Sequence, residues 1–152
     1  MFARFHAKLT VSCDCRTHLI LSFVPSRGPF PDSGGIRPII KNQITIVDTL
    51  LADAGFDSED NHQFLRARGV RSIIPPLIGR PTQKPPTGYY RRRMKKYFKR
   101  YGSVTYGQRW QVETVFSMMK RNFGSALSAR SAHARYREVL LKALCHNVAI
   151  NA

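Results

Sequence analysis

Acidic residues are scarce in this chain and nearly absent from its second half. Nine Asp and Glu stand against 25 Lys and Arg in 152 residues, a formal net charge of +16. Between Asp60 and Glu138 the sole acid is Glu113, and residues 61–112 carry 13 Lys or Arg with no acid. That balance points to a polyanionic partner, nucleic acid first, met by the second half. Cysteine is scarce too. Cys13, Cys15 and Cys145 are too few for a disulfide framework and lack the four-ligand spacing of a structural zinc site, which favours a reduced, cytoplasmic setting. Cys13 and Cys15 alternate with Asp14 on a strand-like run and read as small apolar residues on one face. The five histidines, His6, His18, His62, His133 and His146, form no pair with ligand spacing and read as structural. There is no apolar run of about 18 residues, which argues against a membrane span, and the start MFARFHAKL has no signal-peptide core. No internal repeat is visible.

What is present reads as an α/β chain. Residues 7–15 and 18–24 are two β-rich runs joined by Arg16 and Thr17, a hairpin spanning 7–24. Residues 25–45 hold four prolines and three glycines and read as a connection, in which Asp32 and Ser33 offer caps for only a short helix. Residues 46–76 form a βαβ unit. IVDTLLA is a buried strand that ends at Asp53 and Gly55; a helix follows, with Ser58 as N-cap, Glu59 and Asp60 in its first turn and Gly69 past its end; VRSIIPP is a second strand. After a Pro-rich loop over 75–88 comes YYRRRMKKYFKRY, in which Arg91, Arg92, Arg93, Lys95, Lys96, Lys99 and Arg100 alternate with five aromatics. Such bases neutralise phosphates, and interleaved aromatics can stack on exposed bases; packing of Tyr97, Phe98 and Tyr101 inwards is the structural alternative. Residues 89–124 thus hold the basic segment and a helix that carries Tyr106 to Lys120; NFGSALSARSAHARYR reads as a connecting loop, and a packing helix over 136–150 follows with Val139, Leu140, Leu144 and Val148 on one face.

Within YGQRWQVETVFSMMK, helical spacing places Tyr106, Arg109, Glu113 and Lys120 within roughly 60° of one another. Val112, Val115, Phe116, Met119 and Phe123 fill the adjoining sector, so Glu113 would sit at the edge of a buried face. The spacing Tyr-x2-Arg-x3-Glu-x6-Lys resembles the signature around the last catalytic acid of bacterial insertion-sequence transposases of the DDE (Asp-Asp-Glu) type. LLADAGFDS, 60 residues earlier, is similar to the second-acid motif of the same group. The hairpin also resembles it, with Lys8, Asp14 and Thr17 at matching places.

The resemblance implies an RNase H-like fold, with Asp53 and Glu113 as second and third catalytic acids and as ligands for two Mg²⁺ or Mn²⁺ ions. It further implies DNA cleavage and strand transfer during transposition of an insertion sequence, with Tyr106, Arg109, Lys120 and the basic residues of 91–100 facing DNA. Transposon ends and target DNA are the implied partners, with a homodimer assembled on them and a nucleoid-associated, prokaryotic setting. In the group the first catalytic Asp precedes the hairpin, on a strand that would lie upstream of Met1. Residues 1–152 are therefore expected to be the C-terminal portion of a catalytic domain, with an exposed sheet edge and little strand-transfer activity alone. Asp14 reads first as a turn residue rather than a substitute acid. A basic DNA-binding protein without catalysis, or the relic of a decayed transposase, is the alternative.

Overall fold

The computed structural model describes residues 7–27, 32–43, 45–77, 87–101 and 105–152, with the side chains of 7, 8, 26, 27, 32 and 33 excepted. Strand β1 (Ala7–Cys13) pairs antiparallel with β2 (Ile20–Arg27), and the register slips at Ser12/Cys13. The turn between them is built by Asp14. Its Oδ1 accepts from the backbone N–H groups of Arg16 and Thr17 at 2.8 and 2.7 Å and from the Thr17 hydroxyl at 3.0 Å. Asp14 is thus the turn residue expected of an Asx motif. His18 closes the turn at φ 62°, held there by its N–H on the Asp14 carbonyl and its carbonyl under His146 Nε2.

The 25–45 connection contains more helix than the prolines and glycines suggest. Helix α1 (Ile36–Lys41) buries Ile36 and Ile39. Pro38 is tolerated because it lies in the first turn, where backbone N–H groups have no intrahelical acceptor.

A βαβ unit is present, but its first strand is shorter than read and half-buried rather than buried. β3 (Thr49–Leu51) and β4 (Arg71–Ile73) pair in parallel around α2 (Glu59–Arg66). Ser58 Oγ caps α2 by accepting from Asn61 N–H at 3.1 Å, and Gly69 follows at φ 74°, where a side chain would be strained. Pairing does not extend back to Ile46, which is 98% exposed.

Among the described residues the four strands form two separate two-stranded sheets, not one continuous sheet. Each has its own core. Ile36, Phe64, Leu65, Val70 and Ile74 cluster on the β3–β4 side, with Leu50 and Ala52 packed against them. Ile20, Val115, Met119 and Ala143 cluster on the hairpin side, with Val11, Cys13 and Phe23. Each fully buried aliphatic side chain contributes about 1.5 to 3 kcal/mol.

Helices α3 (Tyr89–Tyr101), α4 (Gln111–Phe123) and α5 (Ala132–Asn151) complete the chain. Two expectations for the last segment need correction. The loop after α4 is short, because Ser131 caps α5 by accepting from Ala134 N–H at 3.1 Å, so α5 begins well before residue 136. The apolar face read for this helix is not its buried face: Leu144 and Val148 are 53% and 69% exposed, whereas Ala143 and His146 are buried. Polar bonds set that rotation. Asn147 accepts from the Ile20 N–H at 2.8 Å and donates to the Ile20 carbonyl at 2.9 Å, beside the His146 bond to His18. No helix among the described residues is long and apolar enough to cross a membrane. Most of the Pro-rich loop, residues 78–86, lies outside the described residues.

Candidate active site

The stretch from Tyr106 to Lys120 is not one α-helix. Tyr106–Trp110 is a 3-10 turn that leads into α4 at Gln111. Side chains three apart eclipse in a 3-10 turn, which stacks Arg109 over Tyr106, 6.0 Å from guanidinium carbon to ring centre. One turn on, Arg109 Nη2 donates to Glu113 Oε1 at 2.8 Å. Val115 and Met119 are buried beneath. Lys120 is exposed near the other end of α4, about 10 Å along the axis from Glu113. His18 Nε2, 2.6 Å from Gln111 Oε1, fastens the start of α4 to the hairpin turn.

Asp53 arrives from the other half of the molecule. It follows β3 at the entrance to the 3-10 turn Ala54–Phe56, and its Oδ2 lies 3.8 Å from Arg109 Nη1. One guanidinium therefore bridges Asp53 and Glu113. Both carboxylates remain open, with side chains 62% and 64% exposed, while Arg109 is 29% exposed. Burial pushes the Tyr106 hydroxyl pKa up; Arg109 opposes this, and Asp53 and Glu113 add to it. Tyr106, Arg109, Glu113 and Asp53 thus form one electrostatic group, and Lys120 stands apart from it. Beside them opens a cavity of about 560 Å³, lined by residues 9–16 and 45–53 and by Arg109, Val112 and Phe116 among others.

Helix α3 divides its residues cleanly. Arg92, Arg93, Lys95, Lys96, Lys99 and Arg100 are all exposed and span an arc of about 160°. Met94 is buried on the opposite side, where Tyr90, Tyr97 and Phe98 are half-buried. Phe98 meets Tyr106 edge-on at 5.2 Å, so the basic helix abuts the turn that carries Arg109. Only Tyr89 among the aromatics lies within the basic arc, so interleaving along the sequence becomes segregation in space. Arg91 is set apart from the other bases and is taken up below.

A family model for the transposase DDE domain matches residues 3–148. The chain belongs to that family. No curated protein and no solved structure matches it. Membership implies a DNA substrate and divalent-metal chemistry. In this DDE domain the acids suit such an ion in kind: Asp53 and Glu113 present exposed carboxylate oxygens, and Mg²⁺ is commonly held by one or two carboxylates with water and phosphate filling the remaining positions. Among the described residues no group of three or more His, Cys, Asp or Glu stands ready for a metal. Cys13 is a poor ligand. Burial, then the neighbouring Cys15 and Asp14, push the Cys13 thiol up to about 12, so it stays protonated and inert.

The domain holds a second carboxylate–arginine group that sequence reading missed. Asp57, four residues after Asp53, has a fully buried side chain; Arg91 donates to its Oδ2 from Nε at 3.0 Å and from Nη2 at 2.8 Å. The Leu77 N–H donates to the same oxygen at 2.9 Å. His62, also buried, lies with Nε2 3.5 Å from Asp57 Oδ1 and Nδ1 2.7 Å from Ser72 Oγ. Burial alone would raise the Asp57 pKa, but His62, Arg91 and the Leu77 amide outweigh it and hold the carboxyl at about 2. Glu59 joins by accepting from the Tyr90 and Arg91 N–H groups, both at 3.1 Å, at the start of α3. Gly88, at φ 103°, leaves room for it, since any side chain there would collide with Glu59. These contacts clamp the basic helix to α2. Arg91 looks like its six basic neighbours in sequence, and nothing in the spacing singles it out.

Proposed function

We propose that this chain works in a DNA transposase that cleaves DNA and transfers strands during transposition of an insertion sequence, and that its fold is RNase H-like. The observation that carries the reading is Arg109 bridging Asp53 and Glu113, because it joins acids from two motifs 60 residues apart at one accessible point. Asp53 and Glu113 would hold the divalent ion; when bound, that ion supplies Lewis acidity towards a phosphodiester. Arg109 keeps the two carboxylates together before binding and offers its guanidinium to a phosphate oxygen afterwards. The exposed arc of α3 grips the DNA backbone, and Lys120 adds a phosphate contact further along α4. With two acids at the site rather than three, the chain by itself is expected to be nearly inactive in strand transfer.

Mn²⁺ titration followed by electron paramagnetic resonance tests the metal assignment without any assay of turnover. Asp53→Asn and Glu113→Gln should each weaken Mn²⁺ binding by about tenfold or more, while retention of duplex DNA at low salt is unchanged. Unaltered Mn²⁺ binding in both variants would sink the metal site. It would leave the second reading, a basic DNA-binding protein, which the segregated charge of α3 favours.

A further inference from the structure

The contacts of Asp57 and Glu59 clamp α3 to α2, and beside the clamp stand three arginines that take no part in it. Tyr90, next to Arg91, stacks its ring on His62 with centres 6.5 Å apart. One turn further along α2, Arg66 meets the same Tyr90 ring, 6.0 Å from guanidinium carbon to ring centre. Tyr89 touches Tyr90 edge-on at 5.1 Å. It in turn holds Arg93, whose guanidinium carbon lies 5.5 Å from the Tyr89 ring centre and whose Nη1 donates to the Tyr89 hydroxyl at 3.1 Å. Arg71 enters from the start of β4. These charges act on one another: burial first, then the positive charges of Arg93 and Arg71, pull the Arg66 pKa down against an opposing effect of Tyr90. Other arginines have partners, since Arg37, Arg91 and Arg109 each meet a carboxylate and Arg68 meets a carbonyl. Among the described residues no carboxylate meets Arg66, Arg71 or Arg93. Arg66 is half-buried, and its Nε is shut away from water with no acceptor. A merely solvated basic face would turn each guanidinium to water and let like charges spread apart. Here aromatic rings hold two of the three in place.

We infer that Arg66, Arg71 and Arg93 form a seat for one phosphate group, with the Tyr89 hydroxyl orienting Arg93. A phosphate presents acceptor oxygens in several directions, so it can take short, charge-assisted bonds from guanidiniums that arrive from α2, β4 and α3. A neutral ligand would leave the mutual repulsion of the three in place. Bonds to an anion also offset the cost of the Arg66 donor that has no acceptor in the protein. Two sources supply this chemistry, a phosphodiester of DNA and a free phosphate ion. The surroundings favour DNA, because Arg93 also belongs to the exposed basic arc of α3, and a strand followed along that arc runs onto the seat. In naming DNA the inference rests on the proposed function; the phosphate seat itself does not. The seat carries the contact off α3 onto α2 and β4 and holds one phosphate from three directions, which fixes register where the arc alone permits sliding.

Two measurements test the seat and its occupant. In the first, inorganic phosphate is titrated into the full wild-type chain at constant ionic strength while the arginine Nε resonances are followed by nitrogen-15 NMR. Arg66 and Arg93 should shift together and saturate with one midpoint, on the order of 1 mM. Arg100, towards the other end of α3, should drift without saturating. In the second, affinity for duplex DNA is measured against salt. The triple variant Arg66→Gln, Arg71→Gln, Arg93→Gln should lower the slope of log affinity on log salt by about 1, the count for one phosphate, where three separate phosphate contacts would lower it by about 3. Saturation in the first measurement with an unchanged slope in the second would make free phosphate the occupant and take DNA off the seat. A wild-type chain that binds no DNA would strike the proposed function and leave the seat to be decided by the phosphate titration. An unsaturated drift shared by all the arginines, or a slope lowered by about 3, overturns the inference.

Discussion

Asp53 and Asp57 stand four residues apart in one motif, and each meets an arginine, yet they have opposite fates. Asp57 is fully buried, held by Arg91, an amide and the neighbouring His62. Asp53 is 62% exposed and shares Arg109 with Glu113, at the rim of a cavity. A buried carboxylate whose Oδ2 is held by an arginine and an amide is committed to structure, because breaking those bonds leaves a charge without water. An exposed carboxylate with a loose partner can exchange it for a metal ion or a phosphate-bound water at little cost. Accessibility separates the clamp from the candidate site, and residue type does not.

The sharpest way to break this contrast is to remove each arginine. Arg91→Ala should destabilise the chain by about 3 to 5 kcal/mol, since it strands the Asp57 charge in the interior. Arg109→Ala should cost no more than about 1 kcal/mol, the range of exposed ion pairs. Urea denaturation of both variants measures the two numbers, and equal losses would erase the distinction.

Next in size is the acid dependence. The Asp57 pKa is depressed in the folded chain to about 2, so its contribution is fully present above its unfolded value near 4 and is lost as pH falls through 2. Stability should therefore drop by about 2 kcal/mol more between pH 4 and pH 2 in the wild-type chain than in Asp57→Asn. Coincident acid-unfolding curves would show that the clamp does not hold the proton off.

Smaller effects probe the surfaces. Lys96→Ala, on the exposed arc of α3, should weaken binding to any duplex alike and reduce the slope of log affinity against log salt by about 1. An unchanged slope would move the phosphate contacts elsewhere. Smallest of all, Val148→Lys on α5 should alter stability by no more than about 0.5 kcal/mol, because its side chain already faces solvent. A loss of several kcal/mol would restore the apolar face first read for that helix.

The sequence by itself determined the local elements and the motif. The hairpin, the βαβ unit, the Ser58 cap and the turn role of Asp14 were legible because each depends on neighbours within a few residues. Asp53, Arg109 and Glu113 were legible as a set only through the resemblance of two motifs to those of the family. Three things were decided only in three dimensions. The stripe from Tyr106 begins as a 3-10 turn, with Tyr106 edge-on to Phe98 and Gln111 bonded to His18 of the hairpin turn. The buried face of α5 is chosen by Asn147 and His146 bonding across more than 120 residues, which apolar periodicity cannot register. Arg91 leaves the company of its basic neighbours because Asp57 is folded beneath it. In each case the deciding partner is remote in the chain, and a hydrogen bond or ion pair out of water outweighs the local preference that sequence patterns record.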